Sequence, residues 1–230
     1  MSYQHFFFDL DRTLWDFDTN AKETLEEAYD HFQLSSQGIP SPNEFRAVYM
    51  AINEGMWAEY RKGQISKQVL RDERFTRTLQ HFGSKQLELG IELGDYYLDQ
   101  CPRKQKLMPG TMETLDYLKQ HYELHIITNG FTEAQSMKLD LTGLGAYFRT
   151  VVTSEMVGVK KPAPGIFDFA LKQAGASAAS SIMIGDSPEI DLVGARNIGM
   201  GQIFYNPEDA EEGDMFTHSI RELSELVKLF

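Results

Sequence analysis

Apolar residues are spaced differently in successive stretches of the chain, and the changes divide it. HFFFDL at 5–10 is apolar, aromatic and too short for a helix, which predicts a buried strand. From about residue 16 to 95 the spacing is helical. Phe17, Ala21, Leu25, Ala28 and Phe32 share one stripe. Ser41-Pro42-Asn43-Glu44 is a capping box with proline at the first helical position, and it opens a helix carrying Phe45, Val48, Tyr49, Ile52, Met56 and Tyr60. Gly63 would end that helix. A third is expected from about Ser66 to Phe82 and a fourth from about Ser84 to just before Cys101-Pro102.

From Pro109 onward strand and helix alternate. ELHIIT (123–128), RTVVTS (149–154), SIMIG (181–185) and GQIFY (201–205) read as strands. Helices are expected at about 110–120, from Thr132 and Gln135, from Pro162 to Ala174, and near Pro188. A final helix is opened by Ser219 and Glu222. Such alternation predicts an α/β fold with a parallel sheet and helices on both faces. Residues 1–15 and 96–230 would form the core, with an all-helical insertion at 16–95 after the first strand. Ligands of open α/β sheets bind beyond the carboxyl ends of the strands, where an insertion leaving that edge would act as a cap.

Composition narrows the possibilities. In 230 residues, 42% hydrophobic and 24% charged positions suit a chain able to bury a core. Cys101 is the only cysteine, so no internal disulfide forms and a reducing, cytoplasmic setting is expected. MSYQHFFFDLD lacks the basic start of a signal peptide, and no apolar stretch is long enough to span a membrane. A net charge of -12 without a basic stripe argues against nucleic-acid polymers as partners. The acidic run EDAEEGD at 208–214 reads as a solvated loop.

Four expected strand ends carry polar groups. The first ends in FFFDLDRT, where Asp9 and Asp11 share a face and Thr13 suits a helix start. The second ends in ITNG, where Thr128 offers a hydroxyl and Asn129 and Gly130 offer N–H groups before a helix, a seat for an anion. Lys160 and Lys161 precede Pro162, and spacing does not choose between them. The fourth strand ends in GDSPEID, with Asp186 at its edge and Asp191 a helical turn beyond. If these aspartates converge with one lysine, four negative charges meet one positive. A hard divalent cation would relieve them, and oxygen-only donors favour magnesium. His121 and His125 have i, i+4 spacing but straddle a helix end and a strand start, which argues against a metal pair. Trp57 and Tyr60 could stack on a base, although helical spacing favours a core position.

DLDRT, ITNG, KKP and GDSPEID, in this order, resemble the motifs of the haloacid dehalogenase-like (HAD) superfamily. The resemblance implies a Rossmann-like core with a helical C1-type cap and a magnesium-dependent phosphatase. It implies Asp9 as nucleophile and Asp11 as general acid/base. Thr128, Asn129 and Gly130 would bind the phosphoryl group, with Lys161 steadying its charge. Asp9, Asp186 and the backbone carbonyl of Asp11 would hold Mg2+, Asp191 would orient Lys161 and the metal shell, and Thr13 would support the loop. MWAEYRKGQIS, ITNGFTEAQSMKL and SEMVGVKKPAPGIFDFAL also resemble the bacterial house-cleaning pyrimidine 5′-nucleotidases, which implies a nucleoside monophosphate as substrate. Alternatives are a phosphatase for phosphoglycolate or sugar phosphates and a β-phosphoglucomutase-like phosphomutase. A 2-haloacid dehalogenase and a non-catalytic binding protein are further from the pattern.

Overall fold

Three consecutive phenylalanines in β1 (His5–Phe8) leave no face for solvent, and the strand lies in the middle of a sheet buried on both sides. The computed structural model describes residues 3–209 and 216–230. Its other strands are β2 (Glu123–Thr128), β3 (Thr150–Thr153), β4 (Ser181–Gly185), β5 (Gly201–Tyr205) and β6 (His218–Ile220). They form one six-stranded sheet in the order β3-β2-β1-β4-β5-β6, with every pairing parallel. The winding reverses at β1, so a crevice opens beyond its carboxyl end. Phe8 stands level with Ile126 and Ile184, a register that brings Asp9, Thr128 and Asp186 to one edge.

The chain divides into two compact units, one formed by Met1–Phe17 with Gln105–Phe230 and the other by Asp18–Lys104. The second unit is helical: α1 (Phe17–His31, entering from the first unit), α2 (Pro42–Arg61), α3 (Lys67–His81) and α4 (Leu87–Gln100). Because it runs to Lys104, it keeps the whole of α4 rather than dividing it near residue 95. Ser41 and Ser66 cap α2 and α3 by accepting the N–H groups of Glu44 and Val69. Its interior holds Phe45, Tyr49, Phe75 and Tyr97, and among them lies the Arg74 guanidinium, 3% exposed. Arg74 sits 5.0–6.0 Å from the ring centres of Tyr97, Phe75 and Tyr49 and donates one N–H to the Asn53 side-chain oxygen at 3.1 Å. Among the described residues no carboxylate pairs with it. Tyr60 is buried here, edge-on to Trp57, as its helical spacing predicts.

The remaining helices are α5 (Thr111–Leu118), α6 (Thr132–Thr142), α7 (Ser154–Val157), α8 (Pro164–Ala174), α9 (Val193–Asn197) and α10 (Leu226–Leu229). Alternation along the strands sorts the core. Phe7, Ile127, Met183 and Phe204 pack with Ile166, Phe167 and Ala170 of α8 and Ala195 of α9. Phe6, pointing the other way, packs on Tyr122 and Phe230, which follow α5 and α10. His125 of β2 is fully buried, stacked on Phe7, with its ring nitrogens bonded to His5 and Thr150. Burial and the neighbouring His5 hold its pKa down to about 4.

The C-terminal expectation is corrected. Ser219 does not open a helix; it lies in β6, which pairs with β5 through Ile203, Phe204 and Tyr205. Glu222 instead shares a capping box with Glu225 on a short turn leading into α10. Three residues are too few to display strand alternation, so only the pairing partner reveals β6. The segment after Ser187 also differs in detail, because a wide π-type turn at Pro188–Leu192 precedes α9. Of the acidic run, Glu208 and Asp209 are exposed, and the rest lies outside the described residues. Among the described residues no helix is long and apolar enough to cross a membrane.

Candidate active site

β1 ends at Phe8, and the Asp9 N–H still donates to the Ile184 carbonyl at 2.9 Å, which fixes Asp9 at the sheet edge. The chain then folds back on itself. The Leu14 and Trp15 N–H groups donate to the Leu10 carbonyl, and the Arg12 N–H donates to Trp15. This tight loop places Arg12 in the left-handed region at φ 62°. Its guanidinium lies over the Phe17 ring, 4.7 Å from the centre. Thr13 is fully buried and donates to an Asp186 oxygen at 3.4 Å, so it braces two loops.

Lys161 is the buried lysine of the pair, 1% exposed, whereas Lys160 is only half-buried. Its ammonium lies 2.6 Å from one oxygen of Asp9 and 2.6 Å from one of Asp191, and it donates to the Ile127 carbonyl at 2.7 Å. The Asn129 side chain holds this loop by its backbone, accepting the Lys161 N–H at 2.8 Å and donating to the Lys161 carbonyl at 3.1 Å. Asp191 is oriented from the other side, where it accepts the Ser187 N–H at 3.2 Å. Gly185 makes room for it: a Cβ there would stand 2.3 Å from an Asp191 carboxylate oxygen.

Crowding sets the electrostatics. Burial raises the Asp9 pKa well above the usual carboxylate range; Lys161 opposes this, while Asp191, Asp186 and Asp11 add to it. Burial, with Asp191 adding to it, pushes Asp186 up to about 7. The Lys161 pKa is raised as well: burial of its charge works against this, but the carboxylates of Asp191 and Asp9 outweigh it. Asp9, Asp186 and Asp191 each offer an oxygen, all within 4.8 Å of one another. Buried, oxygen-only donors whose mutual repulsion asks for positive charge fit a hard divalent cation.

Asp11 faces a different set of partners. Lys138 donates to one of its oxygens at 2.5 Å and the Gln135 amide to the other at 2.9 Å. The same amide nitrogen donates to the Thr128 hydroxyl at 2.7 Å. The site therefore contains a second lysine that the sequence reading leaves out, and four carboxylates meet two ammonium groups rather than one. Thr128 in turn accepts the Gly130 N–H at 3.1 Å. The neglected signal lies on α6. Its buried residues are Gln135, Lys138 and Leu139, an inward stripe at helical spacing with polar groups where apolar ones are the rule.

A family model for haloacid dehalogenase-like hydrolases matches residues 3–199. The pyrimidine 5′-nucleotidase PynA of Streptococcus pneumoniae is 33% identical over 92% of this chain and 87% of its own. The pyrimidine 5′-nucleotidase YjjG of Escherichia coli is 32% identical over 100% of this chain and 98% of its own. The crystal structure of the HAD-hydrolase YfnB from Bacillus subtilis, bound to magnesium, superposes with a TM-score of 0.89 at 27% identity, covering 100% of this chain and 99% of that one. With the motifs gathered at one sheet edge and a family match spanning most of its length, this chain belongs to the haloacid dehalogenase-like hydrolases.

Proposed function

We propose that this hydrolase is a magnesium-dependent phosphomonoesterase working through an aspartyl phosphate, and that its substrates are pyrimidine nucleoside 5′-monophosphates. The observation that carries the chemistry is the separation of two aspartates two residues apart. The side chain of Asp9 is 12% exposed and clasped by Lys161, while that of Asp11 is 29% exposed and held by other groups. That difference supports reading Asp9 as the nucleophile and Asp11 as the proton carrier.

In the first half-reaction an Asp9 oxygen attacks phosphorus, and Asp11 protonates the departing alkoxide. In the second, Asp11 takes a proton from water as the water attacks the phosphoaspartate. Lys161 and the Thr128 hydroxyl face the phosphoryl oxygens, and Lys161 is held to its task by Asp191 and by the Asn129 clasp. Mg2+, held by Asp9, Asp186 and the Asp11 carbonyl, would supply charge neutralisation for the phosphoryl group. The helical unit Asp18–Lys104 would serve as the cap that selects the leaving group. Identity of about a third with two pyrimidine 5′-nucleotidases, over nearly the whole of each chain, supports the nucleotide assignment.

The test is phosphate release from pyrimidine and purine monophosphates, sugar phosphates and phosphoglycolate, with magnesium or with a chelator. The expected outcome is magnesium-dependent hydrolysis that favours pyrimidine monophosphates, abolished by Asp9→Asn. Equal rates on all bases would remove the nucleotide assignment. Halide release from a 2-haloacid in chelator would replace phosphoryl transfer by attack at carbon.

A further inference from the structure

Gln135 and Lys138 occupy the inward stripe of α6, 1% and 6% exposed. Burying a long amide and a long ammonium sacrifices both hydration and side-chain freedom, and an apolar pair would fill a helix stripe more cheaply. The fold has made specific room for them. The Lys138 ammonium lies 4.1 Å from the ring centre of the fully buried Trp15. A Cβ at residue 130 would stand 2.1 Å from the Gln135 amide nitrogen, so a side chain there would push the amide out of its present position. Both side chains converge on one carboxylate, gripping it by both oxygens.

We propose that Gln135 and Lys138 are positioning residues that fix the Asp11 carboxylate, relative to Thr128, for proton transfer to and from the reacting oxygens. The inference rests on the phosphomonoesterase reading of the site. An aspartate with a partly exposed side chain can take several staggered rotamers, and only some aim its oxygens at the crevice. Bonds to both oxygens select one. The shared amide nitrogen ties that rotamer to Thr128, so the proton carrier and the phosphoryl seat move as one body.

The brace acts in both half-reactions. In the first, the Asp9 oxygen–phosphorus bond forms, the bond from phosphorus to the alkoxide breaks, and the alkoxide takes the Asp11 proton. The carboxylate left behind then lies against the Lys138 ammonium. In the second, water adds to phosphorus, its proton passes to Asp11, and the bond to Asp9 breaks to release inorganic phosphate.

A leaving group that needs no proton isolates this role. Uridine 5′-monophosphate and p-nitrophenyl phosphate are compared on the magnesium-loaded enzyme and on Lys138→Met and Gln135→Met, with melting temperatures alongside. For Lys138→Met, kcat on the nucleotide is expected to fall about 100-fold with KM changed less than about threefold. The first-turnover rate on p-nitrophenyl phosphate should fall at least about tenfold less. Because water still needs Asp11, p-nitrophenolate should then appear as a burst of one per site before slow turnover. Gln135→Met should show the same split at smaller amplitude. Equal loss of the first-turnover rate on both esters, or a rise in KM at constant kcat, overturns the proposal whatever the melting temperature. Failure of the underlying reading is distinguishable: the wild-type protein would then release phosphate from neither ester.

Discussion

Each unit of the molecule buries a basic side chain, and the two do so in opposite ways. In the α/β unit, Lys161 is held between two carboxylates and a carbonyl, and its ammonium is stabilised by charge. In the helical unit, Arg74 touches three aromatic faces and one amide, and no carboxylate among the described residues pairs with it. A delocalised guanidinium is weakly hydrated and stacks on rings, so aromatic faces with one amide can accommodate it; the compact, strongly hydrated ammonium of Lys161 is met instead by carboxylates and a carbonyl. Arg74 therefore reads as packing with a charge attached, and Lys161 as a charge with packing built around it. His125 follows a third course, since its burial is met by remaining neutral.

These contrasts can be tested in order of expected effect. Lys161→Met strands two buried carboxylates, so it should destabilise by about 3–5 kcal/mol in denaturant melts. Phosphatase kcat should fall at least about 100-fold with it. A variant that keeps wild-type stability would show that Asp9 and Asp191 tolerate each other without it. Asp191→Asn removes one of the two anionic partners and should cost about 2 kcal/mol and about tenfold in kcat, read from the same melts and assays.

The histidine contrast appears as pH dependence. The folded pKa of His125, about 4, lies below the ordinary histidine value of 6.5. The unfolded chain therefore binds the extra proton first, and stability present above pH 6.5 drains away as pH falls toward 4. The loss should reach about 3 kcal/mol, and urea titrations of the wild type and His125→Asn should differ in slope across that window alone. A flat difference would mean that the buried ring charges without penalty. Smallest of all is Arg74→Met. Exchanging ring stacking for apolar fill should leave stability within about 1 kcal/mol and kcat within about twofold. If Arg74→Met disabled the enzyme as severely as Lys161→Met, the two cations would be alike after all.

The strand ends were readable because their chemistry is local. A buried strand, a polar residue at its edge and a glycine or proline beyond it occupy adjacent positions, and β1, β2 and β4 announce themselves in this way. Lys161 was harder, since spacing treats it and Lys160 alike and only the fold buries one of them. Gln135 and Lys138 escaped for a different reason. Their partner is more than a hundred residues away, and a polar stripe on one helix face gives no hint of what approaches it. β6 lacked even that, because its strand character comes from Tyr205 and its neighbours rather than from its own residues.

Gly185 bears on how damage to this enzyme would be recognised. It has no side chain to donate, accept or attack, so inspection by chemical role would rank a change there as harmless. Yet an alanine at 185 has space only where an Asp191 oxygen stands. Displacing that aspartate loosens Lys161, and with it the group that holds Asp9. In a survey of inactivating alleles, position 185 should therefore cluster with the charged residues of the pocket, a silent member of the active site found by genetics rather than by chemistry.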